Sequence, residues 1–93
     1  MPETKRYTQD EVVAIVNEIM IDEFEVDEDK LRADAKVGEE LGLDSLDGVD
    51  MVVAIEKAFS MRIGEEEARS IRTLGDVYQR VLERLGQMER AVL

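Results

Sequence analysis

Apolar residues recur at three- and four-residue intervals through most of this chain, and nowhere do they alternate for long enough to mark a half-buried strand. That periodicity restricts the fold to an all-α class, and four helical segments follow from it. Thr8 with Glu11 forms a capping-box pattern, after which Val12, Ile15, Val16, Ile19 and Met20 recur at helical spacing to about Glu23. A second helix starts at Asp44 or Ser45, either of which offers a capping oxygen, and runs to Phe59. Glu65 to Ser70 is long enough for a short third helix only. Thr73 caps the fourth, with Asp76 three positions on, a stripe through Leu74, Val77, Tyr78, Val81, Leu82 and Leu85, and Gly86 as its expected stop. The expectation is a small four-helix bundle of three main helices and one short one, with a core over about residues 10–85 and all 93 residues in one domain.

Between the first two helices, residues 24–44 lack a sustained period. Val26, Leu31, Val37, Leu41 and Leu43 stand as isolated apolar anchors among Gly38, Gly42 and many charges. A segment of this length without helix or strand is uncommon unless it is functional or packed by its own side chains. It is read as a long loop pinned at those anchors.

The side-chain inventory removes most chemistry. The chain has no cysteine and no histidine, which excludes disulfides, thiolate nucleophiles and the usual zinc sites, and takes away the commonest general base. An independent enzyme is not expected, and no catalytic or metal-binding residue is assigned. With 12 basic against 23 acidic side chains the net charge is −11, which repels nucleic acid and anionic membrane surfaces. The longest apolar runs, 12–16 and 51–55, fall far short of a bilayer span of about 20 residues. Lys5 and Arg6 are not followed by the apolar stretch of a secretory signal, so a cytoplasmic location is expected. The hydrophobic fraction of 44% separates the chain from disordered acidic tails.

The acidity is concentrated. Residues 22–50 hold twelve acidic and three basic side chains, a net −9, whereas residues 51–93 balance seven against seven. Within that region the second helix carries two apolar arcs at 100° per residue. Met51, Val52, Ile55 and Phe59 share the core face, while Leu46, Val49 and Val53 form a second strip among Asp47, Asp50 and Glu56. A surplus apolar strip framed by carboxylates either docks a basic partner protein or is covered by the long loop or the fourth helix. Ser45, at the start of this helix, reads from spacing alone as a helix cap.

The run Leu41-Gly42-Leu43-Asp44-Ser45-Leu46-Asp47-Gly48-Val49-Asp50 resembles the attachment motif of the acyl carrier proteins. The likeness extends through Val37 to Gly42, Met51 to Phe59, Ile63 to Ala68 and Ile71 to Leu74. It implies that Ser45 receives a covalent phosphopantetheine arm derived from coenzyme A, on whose thiol acyl groups ride as thioesters, with Asp44 and Leu46 beside it in the recognition motif. It also implies that a phosphopantetheinyl transferase and basic-surfaced acyl-transfer or synthase enzymes read Leu46, Asp47, Val49, Asp50, Val53 and Glu56. An acyl chain would shelter in a cavity lined by Val52, Ile55, Phe59, Ile63 and Ile71. The implied role is a monomeric carrier in fatty-acid, polyketide or related acyl biosynthesis. Lys57, Arg62 and Arg69 stand where the common fatty-acid carriers are acidic or neutral, and Gly64 replaces a frequent proline. These departures, with extra residues at both ends, imply a specialised rather than a housekeeping member.

Two other readings share the same acidic surface. An unmodified helical adaptor differs only in leaving Ser45 bare. A calcium site needs oxygen ligands at loop positions 1, 3, 5 and 12. Among Asp22, Asp27, Asp29 and Asp34, the best start is Asp29, which reaches Glu40 at position 12 but finds Leu31 and Ala33 at positions 3 and 5. Only weak divalent-cation binding survives.

Overall fold

Each helix begins where a side chain can take up free amides. The structure, a computed structural model, describes residues 7–92; Pro2, Lys5 and Arg6, at the front of the amino-terminal extension, lie outside them. Four helices make the fold: α1 (Gln9–Phe24), α2 (Ser45–Phe59), α3 (Glu65–Arg69) and α4 (Leu74–Val92). At α1 the Thr8 hydroxyl accepts from the Glu11 N–H at 3.1 Å, and the Glu11 carboxylate accepts from the Thr8 N–H at 2.9 Å. Thr73 and Asp76 close the same reciprocal box at α4, where the Asp76 carboxylate also accepts from the Arg72 N–H at 3.0 Å. Those backbone donors hold the Asp76 carboxyl below its ordinary value of 3.8. At their carboxyl ends α1 and α2 stop on left-handed residues, Glu25 and Ser60.

The apolar stripes meet along one seam. Val12, Val16 and Met20 of α1, Met51, Ile55 and Phe59 of α2, and Leu74, Val77 and Val81 of α4 are all buried. At about 25 cal/mol per Å² of apolar surface removed from water, such side chains contribute roughly 1.5–3 kcal/mol each before conformational entropy is set against them. The Tyr7 ring stands edge-on to Phe59 with centroids 5.1 Å apart, and the Tyr78 hydroxyl donates to Asn17 Oδ1, joining α4 to α1.

The long connection from α1 to α2 is ordered in two ways. Val26, Val37, Leu41 and Leu43 are buried as expected, Leu31 is half-buried, and Ala35, which carries no periodic signal, is fully buried. Glu28–Lys30 forms one 3-10 turn. Backbone bonds then stitch the loop to the α3–α4 junction: Val37 N–H to Arg72 O at 2.9 Å, Leu74 N–H to Ala35 O at 2.9 Å, and Gly75 N–H to Ala33 O at 2.7 Å. The last pairing needs a glycine, because a Cβ at Gly75 would lie 2.8 Å from the Ala33 carbonyl oxygen.

One boundary differs from expectation. Gly86 does not end α4, which continues to Val92, and Gly42 is the single described glycine with positive φ. Glycine permits a left-handed stop without imposing one, and within a helix it costs only about 1 kcal/mol relative to alanine.

Candidate functional site

Asp44, not Ser45, caps α2. Its carboxylate accepts from the Asp47 N–H at 2.9 Å, and the Asp47 carboxylate accepts from the Asp44 N–H at 3.3 Å. Ser45 is therefore the first residue of the helix, exposed, and its hydroxyl forms no hydrogen bond among the described residues. The helix-capping reading of Ser45 is set aside by that geometry. The Ser45 oxygen stands free at the positive end of a 15-residue helix, where the dipole favours an anion such as a phosphate. The capping carboxylates of Asp44 and Asp47 work against part of that attraction.

The surplus strip on α2 is uncovered. Leu46, Val49 and Val53 are 75%, 62% and 40% exposed, so neither the loop nor α4 closes over them. Asp50 is exposed and Asp47 half-buried beside them. Glu56 is placed differently: half-buried, its carboxylate accepts from the Ile63 N–H at 2.8 Å and so fixes the α2–α3 loop. Spacing puts Glu56 on the rim of the strip and carries no signal for this tether.

Beside Ser45 a cleft of about 660 Å³ opens between α2 and α3. Val52, Ile63 and Ile71 line it as the resemblance implies, together with Gly48, Ala68 and Arg69, which it does not imply. Ile55 and Phe59 do not line it; they are buried in the core. Arg69 reaches across one turn of α3 to Glu65 at 2.6 Å.

The far wall is held by charge. No residue of α3 is buried. The Glu67 carboxylate accepts from the Gly64 N–H at 3.1 Å and from Arg84 of α4, and lies 3.7 Å from Arg80. Arg80 also donates to the Ser70 hydroxyl at 3.0 Å. Among the described residues no three acidic side chains group closely enough to hold a metal ion, and no helix is long and apolar enough to cross a membrane.

A free serine on a capped helix, a cleft beside it and an acidic strip after it make up the candidate site. The sequence profile of the family described as Phosphopantetheine attachment site matches residues 14–81. An acyl carrier protein from Akkermansia muciniphila is 44% identical over 62 residues, covering 67% of this chain and 78% of that one. One from Wolinella succinogenes is 39% identical over 62 residues, with 67% and 82% covered. The crystal structure of an acyl carrier protein from Thermotoga maritima superposes with a TM-score of 0.76 at 29% identity, over 86% of this chain and 93% of that one. This chain belongs to the acyl carrier protein family, whose members bear a covalent phosphopantetheine group and act as carriers rather than enzymes.

Proposed function

We propose that Ser45 is the attachment residue and that the chain presents acyl groups, as thioesters on the arm's thiol, to enzymes of fatty-acid, polyketide or related acyl biosynthesis. The observation that carries this reading is the free Ser45 hydroxyl at the first position of a helix capped by Asp44, directly beside the cleft. Loading forms a bond from the serine oxygen to the phosphorus of coenzyme A that bears the pantetheine. The pyrophosphate linkage breaks, the nucleotide half leaves, and the serine proton passes to a base on the transferase. The carrier itself supplies no base, in keeping with a chain that lacks histidine and cysteine.

Partner enzymes read the strip of Leu46, Val49 and Val53, with Asp47 and Asp50 steering their basic surfaces across a segment of net charge −9. Glu56, committed to Ile63, is left out of that set. Val52, Ile63 and Ile71 take the acyl chain. Lys57 and the Arg69–Glu65 pair reduce the acidity past the middle of α2, which fits a specialised carrier with its own cognate enzymes, working as a monomer in the cytoplasm. The test is the intact mass after incubation with coenzyme A and a broad-specificity phosphopantetheinyl transferase, followed by peptide mapping. One phosphopantetheine on Ser45, absent from Ser45→Ala, is the expected result. A folded chain that takes up none sinks the assignment and favours the unmodified adaptor.

A further inference from the structure

The mouth of the cleft contains a gap that nothing in the fold requires. Gly48 is the fourth residue of α2, where glycine is a poorer helix former than alanine. Its backbone is helical and not left-handed, so its conformation does not demand glycine. A Cβ added there meets no atom within 4 Å, in contrast to Gly75, so packing does not demand it either. Neither the conformation nor the packing of the folded chain accounts for the missing side chain.

Helix geometry sets Gly48 about 4.5 Å along the axis from Ser45 and about 60° around it. Both residues line the same cleft, with Val52 one further turn along. A group bonded to the Ser45 oxygen and running into the cleft meets the next turn of α2, where Gly48 and Val49 both line it. In a phosphopantetheine arm the unit next to the phosphate is pantoate, whose dimethyl-substituted carbon is the widest point of an otherwise slender chain.

We propose that Gly48 is a positioning residue for the arm: its bare Cα seats the dimethyl-substituted carbon and so turns the remainder toward Val52, Ile63 and Ile71, shielding the thioester. This rests on the attachment reading of Ser45. A side chain at position 48 stands in the arm's path and keeps the thioester outside the cleft.

The test uses the full chain, loaded and carrying an octanoyl group, as wild type, Gly48→Ala and Gly48→Leu. Hydroxylamine cleavage of the thioester should quicken with side-chain size, several-fold for Gly48→Leu, toward the rate of octanoyl-pantetheine free in solution. The unloaded Gly48→Ala chain should melt at or above the wild-type temperature, a result that loss of packing would not give. In the loaded wild type, nuclear Overhauser effects should join the two arm methyls to the Gly48 α-protons, a readout that stands even if Gly48→Leu does not fold. Equal cleavage rates across the folded variants, or absence of those Overhauser effects, overturns the proposal for Gly48 alone. Failure of the wild type to take an arm at Ser45 removes the attachment reading and this proposal with it.

Discussion

Replacing Asp44 and Ser45 one at a time separates the two tasks at the start of α2. Asp44→Ala removes the oxygen that accepts from the Asp47 N–H at 2.9 Å and leaves the weaker return bond of 3.3 Å without its reciprocal partner. Loss of an N-cap acceptor typically costs about 1 kcal/mol, within a range of roughly 0.5–2. For a domain of this size that corresponds to a fall of about 4–8 °C in Tm per kcal/mol. Ser45 makes no capping bond, and alanine is the better helix former, so Ser45→Ala should stay within about 0.5 kcal/mol of wild type. Urea titrations at neutral pH, followed by far-ultraviolet circular dichroism, resolve the difference. Asp44→Asn restores the cap and should return the midpoint close to wild type. Loading runs in the opposite order: Ser45→Ala accepts no arm however stable it is. If Ser45→Ala were as destabilising as Asp44→Ala, or Asp44→Ala left the midpoint unmoved, the cap would have been assigned to the wrong residue.

Three further outcomes are expected. Gly75→Ala forces a Cβ to within 2.8 Å of the Ala33 carbonyl oxygen, a backbone atom held by its own hydrogen bond, and should cost about 1–3 kcal/mol of overpacking; a midpoint equal to or above wild type contradicts the stitched loop. The Asp76 carboxyl is held low by the Arg72 and Thr73 amides, so its contribution is fully present above pH 3.8 and is lost as pH falls through the lower folded-state value. Asp76→Asn should accordingly flatten the acid limb of the stability profile below pH 3.8, and an identical limb argues against the cap. Raising salt from low to moderate concentration should raise Tm by screening the net −9 of residues 22–50, and a flat response refutes that repulsion as a stability term.

The starts of α1, α2 and α4 were legible because side chains sign them in sequence: Thr8 with Glu11, Thr73 with Asp76, and Asp44 or Ser45, between which only the structure decides. The order of the long loop was not, because it rests on backbone bonds to residues some forty positions away, and main-chain donors leave little mark on side-chain identity. Ala35 and Gly75 are the side-chain traces of that stitching, both too small to enter an apolar pattern. On α2, the 100° rule separated the exposed strip from the core. It could not divide the inward face between core and cleft, which is why Ile55 and Phe59 fall in the first and Val52 in the second. Gly86 lies inside α4 because glycine can terminate a helix without having to. The Glu56 tether depends on where the α2–α3 loop returns, which local spacing does not encode.

The charged mounting of α3 also divides the molecule thermodynamically. Apolar burial carries the heat capacity of unfolding, and α3 contributes no buried residue, so detaching it exposes little of the surface that curves a stability profile with temperature. Besides the half-buried Ala68, what holds it is Glu67 against Arg80 and Arg84 of α4, with Glu56 gripping Ile63 at its approach. Opening of this wall is then a sub-global event whose free energy follows ionic strength more than temperature, and its amides should exchange with solvent ahead of those in α1, α2 and α4. A wall mounted this way can open and close across a range of temperatures while the core stays shut.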